Sequence, residues 1–217
     1  MPKSLLIIHS SARANRSLTR DLARIFEDGW TASGGGEIVH RDVGQSPPNF
    51  ITEDWIGAAF TDPSDRTHEQ QEILAESDAL IEEIRAADVI ALCAPMYNYS
   101  MPAALKAWFD LIARVGKTFS FDLSRGDVPI EPILTGKKLI VLSSRGEFGF
   151  AAGGSRAHLN GLDPAIRASA HYLGARADEM ETVAIEYQEF GDARFEASVA
   201  AAKSRAAELA REIAQAQ

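Results

Sequence analysis

Residues 89–102 read VIALCAPMYNYSMP. The first six residues, Val89 to Ala94, form a continuous apolar run, which is typical of a strand buried on both faces of a parallel sheet. Pro95 ends the run, and Pro102 allows a helix to begin because a proline costs little at the first helical position. The stretch therefore predicts a buried strand, a loop centred on Tyr97-Asn98-Tyr99, and a following helix.

The same alternation of apolar strand and amphipathic helix continues on both sides of this stretch. Further strands are predicted at Leu5–Ile8, Glu37–Asp42 and Lys138–Ser143, and within Ala177–Ile185. Helices are predicted over the stretch that carries Leu18, Leu22, Ile25 and Phe26, after the capping-box pair Thr67 and Gln70, near Pro164–Leu173, and from about Asp192 onward. Residues 43–66 are expected to be irregular because of Pro47, Pro48 and Pro63, and residues 117–136 to form a hairpin-like excursion.

This order of elements predicts an α/β fold. Five strands that alternate with helices form an open parallel sheet covered by helices on both faces, a three-layer sandwich. Five strands favour the flavodoxin-like order 2-1-3-4-5, in which ligands bind beyond the carboxyl ends of the strands. The sequence contains no convincing linker, and residues 1–217 are therefore predicted to form one domain.

Composition narrows the range of functions. The formal net charge is −9, which disfavours nucleic acid as a partner. No apolar stretch reaches the length needed to cross a bilayer, so no membrane partner is expected. The single cysteine, Cys93, cannot form an internal disulfide, and a reducing, cytoplasmic location is expected. No cluster of His, Cys or Asp has metal-ligand spacing, and no metal site is predicted.

Three loops at the predicted binding edge have unusual compositions. The loop after the first strand, residues 9–19, offers hydroxyls and backbone N–H groups at a helix N-terminus, which suits one phosphate monoester, although an ordinary serine N-cap is the alternative. The loop at 94–102 offers aromatic and thioether groups for a flat ring, the alternative being a packed connection. The glycine-rich loop at 143–150 allows close backbone approach to a ligand, the alternative being a mobile surface loop.

Taken together, these loops resemble those of the FMN-dependent NADH-azoreductases, a group of flavodoxin-like quinone reductases. The similarity extends from Leu5 to the last helix, and its most specific part is the segment 94–99 followed by Lys106-Ala107-Trp108-Phe109-Asp110. The resemblance implies one FMN per subunit, bound by residues of all three loops. They are Ser11, Ser17, Leu18 and Thr19 at the phosphate, Met96, Tyr97, Asn98 and Tyr99 along the isoalloxazine, and Ser144, Arg145, Gly146 and Glu147 at its pyrimidine end. Glu147 replaces a glycine that is usual in the family.

The resemblance also implies an activity. NADH would donate electrons to FMN, and reduced FMN would pass them to small aromatic acceptors such as quinones and azo compounds, with active sites at a homodimer interface. The chemistry resides on the flavin, so no catalytic side chain is assigned. If one face of the flavin is accessible, the two substrates must bind in turn, in a ping-pong scheme. A flavodoxin-type electron carrier and a non-enzymatic FMN-binding regulator are the alternatives. The residues leave open the physiological acceptor and the choice between NADH and NADPH.

Overall fold

The computed structural model describes residues 2–216, and a parallel sheet forms its centre. The sheet contains β1 (Leu5–His9), β2 (Ile38–Asp42), β3 (Val89–Pro95), β6 (Lys138–Ser144) and β7 (Glu181–Ile185), in the spatial order β2-β1-β3-β6-β7. Counted within this sheet alone, the order is 2-1-3-4-5, which confirms the prediction. In the register of the three central strands, Leu5 pairs with Val89 and Val89 with Lys138.

Two strands lie outside the main sheet. β4 (Phe119–Phe121) and β5 (Ile130–Pro132) pair antiparallel, with Phe119 opposite Pro132. This pair confirms the hairpin-like excursion expected from the mixture of aromatic residues, prolines and glycines at 117–136.

Helices cover both faces of the sheet. They are α1 (Leu18–Ala32), α2 (Glu53–Phe60), α3 (His68–Ala86), α4 (Ala103–Ile112), α5 (Asp163–Ser169) and α6 (Ala193–Gln215). Side chains of α1 and α6, such as Phe26 and Leu209, pack on one face with Ile7 of β1. Side chains of α3, α4 and α5 pack on the other face, around Trp108 and Ile166. Alternate residues of each central strand point into opposite cores, and both cores are apolar. The strands therefore appear in the sequence as continuous apolar runs.

The structure differs from the sequence predictions at one helix and at one helix boundary. Residues 53–60 form α2 where an irregular segment was expected, because the prolines flank these eight residues and none lies within them. Thr52 caps α2 by accepting the N–H of Trp55 at 3.2 Å. The helix predicted near Pro164–Leu173 is α-helical only to Ser169 and continues as a 3₁₀ turn, which Gly174 ends in a left-handed conformation with φ of 75°. The capping box at Thr67 and Gln70 is present as predicted.

The topology brings three loops to one edge of the sheet. β1, β3 and β6 are adjacent and parallel, so the loops that follow their carboxyl ends lie side by side. These are the three loops singled out by composition. Over residues 2–216, no helix has both the length and the apolar composition of a transmembrane segment.

Candidate functional site

The loop after β1 leads into α1 through a buried serine. Ser17 is the N-cap residue of α1, yet its hydroxyl caps no backbone N–H of the helix. Its Oγ lies 3.3 Å from Oγ1 of Thr19, and both side chains are buried. Ser17 therefore does not act as an ordinary serine cap. The first N–H groups of α1 remain available to an anion.

Arg20 holds the same loop in place. Its guanidinium pairs with Asp42 at 2.6 Å and donates to the carbonyl oxygens of Ser11 at 3.0 Å and Arg13 at 2.9 Å. The pKa of Asp42 is lowered by hydrogen bonds from Arg20 and the Gln45 backbone, against the opposing effect of burial. The loop thus has a fixed backbone, a condition for presenting donors to a ligand.

The loop after β3 turns sharply at Asn98 and Tyr99. Tyr97 and Ser100 exchange both backbone hydrogen bonds, at 2.9 and 3.0 Å. The two residues between them have positive φ angles of 48° and 65°. A left-handed conformation is unusual for tyrosine and is found where the surrounding structure requires it, often at functional sites. The hydroxyl of Tyr97 also accepts the N–H of Ala12 at 3.3 Å, which links this loop to the first.

The loop after β6 approaches a segment that follows β7. A Cβ on Gly146 would lie 2.7 Å from Oε1 of Glu189, so a larger residue here would displace the Glu189 side chain. The backbone N–H of Glu189 also donates to the carbonyl of Gly146 at 3.0 Å. Tyr187, with φ of 65°, donates its N–H to the carbonyl of Glu147 at 3.0 Å. The segment at 187–189 is therefore a fourth component of the site, one that the sequence analysis did not identify.

Arg145 is buried beneath this loop. Its guanidinium pairs with Asp163 at 2.7 Å and lies 3.5 Å from Glu186. Glu186 in turn accepts the N–H groups of Gly149 at 2.9 Å and Phe150 at 3.2 Å. This ion-pair network fixes the backbone of the loop from below.

Aromatic and charged side chains surround the loop from above. Phe148 and Tyr187 stack with ring centroids 4.5 Å apart, and the guanidinium of Arg156 lies 4.4 Å from the Phe148 ring centroid. Glu147 lies 3.4 Å from Nε of Arg156 and accepts the hydroxyl of Tyr99 at 3.0 Å. This hydrogen bond and the charge of Glu147 raise the pKa of the Tyr99 phenol.

Two adjoining cavities open between these loops. The first, of about 260 Å³, is lined by Ser11, Arg13, Arg16, Ser17, Leu18, Pro95, Met96, Tyr97, Ser144, Gly146, Gln188 and Glu189. The second, of about 290 Å³, is lined by Met96, Asn98, Tyr99, Gly146, Glu147, Phe150 and Glu189. They share Met96, Gly146 and Glu189, so together they form one cleft. The charged side chains of the first cavity are Arg13, Arg16 and Glu189, and those of the second are Glu147 and Glu189.

The cleft brings together most of the residues predicted to bind a cofactor. Ser11, Ser17, Leu18, Met96, Tyr97, Ser144 and Gly146 line the first cavity, and Asn98, Tyr99 and Glu147 line the second. Thr19 and Arg145 do not line either cavity. The side chain of Thr19 contacts Ser17, and the side chain of Arg145 contacts Asp163 and Glu186. Sequence analysis did not select Arg13, Arg16, Gln188 or Glu189. The two arginines stand in the predicted phosphate loop and could have been found from their charge. Among the described residues, no group of His, Cys, Asp and Glu is arranged to hold a metal ion.

A doubly wound parallel sheet with this strand order and a ligand cleft at the β1–β3 switch point defines a flavodoxin-like protein. A family model described as flavodoxin-like fold matches residues 3–210. A protein of Idiomarina loihiensis named FMN-dependent NADH:quinone oxidoreductase 2 is 51% identical, over 97% of this chain and 90% of its own length. One of Pseudomonas aeruginosa, named FMN-dependent NAD(P)H:quinone oxidoreductase 1, is 38% identical over 95% of this chain and 98% of its own length. The chain therefore belongs to the flavodoxin-like family, in the group whose curated members are named FMN-dependent NADH:quinone oxidoreductases.

Solved structures agree at the level of the fold. An azoreductase from Bacillus anthracis str. Sterne superposes with a TM-score of 0.83 at 23% identity, over 98% of this chain and 100% of that one. A FMN-dependent NADH-azoreductase from Bacillus anthracis str. Ames Ancestor, in complex with FMN, has the same TM-score at 16% identity, over 99% of this chain and 100% of that one.

Proposed function

We propose that the protein is an FMN-dependent oxidoreductase that passes electrons from NADH to quinones and azo compounds, with residues 1–217 acting as one flavin-binding domain. The observation that carries the proposal is the single cleft that joins the N-terminus of α1 to the loops after β3 and β6. One end of this cleft has the chemistry of a phosphate site, and the other has groups that suit a flat heteroaromatic ring. The activity is the one in the names of the relatives that match nearly the whole chain.

The phosphate end fits the monoester of FMN. The hydroxyls of Ser11 and Ser17 and the N–H groups of Leu18 and Thr19, in the first turn of α1, would donate to phosphate oxygens, while Arg13 and Arg16 add positive charge. Arg16 adopts a positive φ of 53°, a conformation that a ligand-binding turn commonly requires. A helix N-terminus supplies both free N–H groups and a favourable dipole for such an anion.

The remainder of the cleft, which continues into the second cavity, fits the ring system. Met96 lines both cavities and offers a thioether for contact with a ring face, and the backbone of 96–99 and 144–146 offers polar groups to its edge. When bound, FMN supplies the acceptance of hydride and its return to an acceptor. The protein binds and orients it and shields it from water, and no side chain of the cleft needs to act as a nucleophile.

Ping-pong kinetics is the test of this arrangement. If the protein covers one face of the ring, NADH and the acceptor must occupy the other face in turn, because hydride transfer needs the reacting atoms within about 3–3.5 Å. Initial rates at several fixed quinone concentrations should then give parallel double-reciprocal lines, and excess quinone should compete with NADH. Intersecting lines would show a ternary complex and contradict the single-face arrangement.

The alternative functions predict different outcomes. An electron carrier or an FMN-binding regulator would purify with the visible spectrum of a flavin but would oxidise NADH slowly when a quinone is present. Turnover of NADH with a quinone by the flavin-loaded protein distinguishes the enzyme from both. The absence of a flavin spectrum after incubation with FMN would contradict all three.

A homodimer is the proposed assembly. Large apolar side chains are exposed on the segments 43–66 and 117–136, which lie outside the parallel sheet; they include Phe50, Phe60, Leu123 and Val128, each at least 70% exposed. Phe121 is also exposed, whereas Trp55 and Phe119 of the same segments are buried within the subunit. Exposed apolar patches of this kind mark interaction surfaces. Sedimentation as a 23.5 kDa monomer at micromolar concentration would contradict the dimer.

A cytoplasmic location is proposed on the basis of cysteine use. The single cysteine, Cys93, is buried and unpaired in β3, and burial raises the pKa of its thiol. A buried neutral thiol behaves as a small hydrophobe and needs no oxidising compartment.

A further inference from the structure

Two carboxylates line the part of the cleft that is proposed to hold the flavin ring. Glu147 and Glu189 are the charged side chains of the second cavity, and Glu189 also lines the first. The carboxylate of Glu189 lies close to Gly146, because a Cβ on that glycine would be 2.7 Å from its Oε1. Since Gly146 lines both cavities, the two charges belong to the wall against which the ring would bind.

Only part of this negative charge is neutralised by a neighbouring cation. Arg156 lies 3.4 Å from Glu147, but its guanidinium stacks on the ring of Phe148, and neither Arg156 nor Phe148 lines the cleft. Glu189 forms no ion pair with any of residues 2–216. Two carboxylates and one guanidinium leave an uncompensated negative charge at the ring cavity.

The phenol of Tyr99 reports the electrostatic field at this wall. Its hydroxyl donates to Glu147 at 3.0 Å, and this hydrogen bond raises the pKa of the phenol. The charges of Glu147 and Glu189 raise the pKa further, and the opposing charge of Arg156 does not cancel them. An ionisation that adds negative charge at this wall is therefore disfavoured.

Reduction adds negative charge to a flavin ring. Hydride carries two electrons and one proton, so NADH and oxidised FMN, whose ring is neutral, give NAD⁺ and reduced FMN with one negative charge on the ring. The phosphate is unchanged in this step, so a group that distinguishes the two forms must act on the ring. A carboxylate close to the ring disfavours the form that carries the like charge.

We infer that Glu147 and Glu189 tune the cofactor: their charges make the protein bind oxidised FMN more tightly than reduced FMN, and so lower the reduction potential of the bound flavin. The inference rests on the proposed function. Charge beside the ring is one of the means by which a protein adjusts the electronics of a flavin. A flavin with a lowered potential passes its electrons more readily to a quinone or an azo compound.

The reduction potential of the bound flavin measures this effect without turnover. It differs from the potential of free FMN by an amount set by the ratio of two dissociation constants, that of reduced FMN over that of oxidised FMN. For a two-electron couple, a tenfold change in this ratio corresponds to about 30 mV. Spectroelectrochemical titration of the FMN-loaded protein gives the potential, and fluorescence titration with oxidised FMN gives one of the two constants directly.

Glu147→Gln and Glu189→Gln each remove one charge and keep the shape of the side chain. The amide oxygen of the first variant can still accept the hydroxyl of Tyr99. Each variant is expected to lower the ratio about three- to thirtyfold, the range for one unit charge beside a partly exposed ring. The potential of the bound flavin should rise accordingly, by about 30 mV for each factor of ten.

Glu208→Gln is the matched control for the change in net charge. Glu208 pairs with Arg205, whose other partner Glu181 begins β7 at the end of the sheet opposite to the cleft. This variant loses one negative charge, as the other two do, and should leave the ratio unchanged within twofold.

Salt dependence gives a second measurement that needs no substitution. Raising the ionic strength from about 0.1 M to about 1 M shortens the Debye length from about 10 Å to about 3 Å, so the ratio of the wild type should fall toward that of the variants. A ratio that neither salt nor either substitution changes by more than twofold, in proteins that still bind oxidised FMN, would overturn the inference and leave the proposed function intact. A wild type that binds FMN but does not pass electrons from NADH to a quinone would overturn the proposed function, and the potentials of the same samples would still decide whether the two carboxylates act on the flavin.

Discussion

The two ends of the cleft are built in different ways. The proposed phosphate end consists of one continuous segment, residues 10–19, whose donors are hydroxyls and the N–H groups of a helix N-terminus, fixed by Arg20. The other end, proposed to hold the flavin ring and called the ring end below, is assembled from three segments distant in sequence, around 97–99, 145–156 and 186–189, which are held by buried ion pairs and stacked rings. A local site depends on single side chains, whereas an assembled site depends on the network that joins its parts.

The largest effect should follow from breaking the ion-pair network of the ring end. Arg145→Met removes a guanidinium that is 2% exposed and leaves Asp163 and Glu186 without their buried partner. Because an unpaired buried charge is costly, the free energy of unfolding should fall by about 2–4 kcal/mol. Urea denaturation of the flavin-free protein measures this change.

Arg85→Met is the matched control for that substitution. Arg85 pairs with Glu82 on the surface, with both side chains more than 40% exposed. Such pairs contribute about 0–1 kcal/mol. Equal losses for the two variants would indicate that the Arg145 network stabilises the ring end no more than a surface pair does.

The phosphate end should respond to the loss of a single hydroxyl. Ser17→Ala is expected to weaken FMN binding about ten- to hundredfold, since a hydrogen bond to a charged group contributes roughly 1.5–3 kcal/mol. Riboflavin, which lacks the phosphate, should bind the wild type poorly and be little affected. Fluorescence titration with both flavins measures this, and equal losses for the two would refute the phosphate assignment.

Thr67→Ala is the control for Ser17→Ala, because it should lower the stability of the protein and not its affinity for FMN. Thr67 caps α3 by accepting the N–H of Gln70, whereas Ser17 caps nothing in α1. Loss of the α3 cap should therefore lower the stability by about 1 kcal/mol and leave the affinity for FMN unchanged. If Ser17→Ala lowers the stability and leaves the affinity for FMN unchanged, Ser17 acts as an ordinary helix cap and not as a phosphate ligand.

A pH-dependent contribution is expected at the base of the phosphate loop. Burial, helped by the positive charge of Arg20 and by His40, lowers the pKa of His9 from the ordinary 6.5 to about 4, although Asp42 opposes the shift. Below pH 6.5 the unfolded chain binds a proton that the folded protein does not, so stability falls between pH 6.5 and 4. Because His9 is partly exposed, we expect this loss to be about 1–2 kcal/mol rather than the full value of the shift.

His9→Asn tests that contribution. The variant removes the titrating ring, so its stability should fall less steeply than that of the wild type over the same pH range. Denaturation at pH 7 and pH 4.5 gives the two slopes. If the slopes are equal, other groups account for the acid sensitivity.

The contrast between the two ends also explains how much the sequence could predict. The apolar runs fixed the strand order, and the composition of residues 9–19 indicated a phosphate site, because a helix N-terminus is a local feature. Gln188 and Glu189 could not be selected in the same way, because nothing near them in sequence shows that the backbone after β7 hydrogen-bonds to the carbonyls of Arg145 and Gly146. The ion pair of the Arg145 side chain with Asp163 could not be predicted either, because no sequence pattern indicates a partner 18 residues away. The helix α2 was not predicted, because the prolines on both sides made the whole segment 43–66 look irregular although none lies within the eight helical residues.

The smallest effect is expected at Asn98, where the two ends of the cleft meet. Two substitutions there distinguish the role of the backbone conformation from that of the side chain. Asn98 has a φ of 48° and its backbone lies between Tyr97, which contacts the phosphate loop, and Tyr99, which contacts Glu147. Alanine in a left-handed conformation costs roughly 1–2 kcal/mol, whereas asparagine tolerates it and glycine adopts it freely. Asn98→Ala should therefore lower the stability by about 1 kcal/mol, and Asn98→Gly should change it by less than about half of that. If the amide of Asn98 contacts the ring of FMN, both variants lose flavin affinity; if only the turn is required, glycine keeps the affinity and alanine lowers it. Thermal unfolding and FMN titration of the pair distinguish these outcomes, and a glycine variant as unstable as the alanine one would show that the left-handed turn does not hold the two ends together.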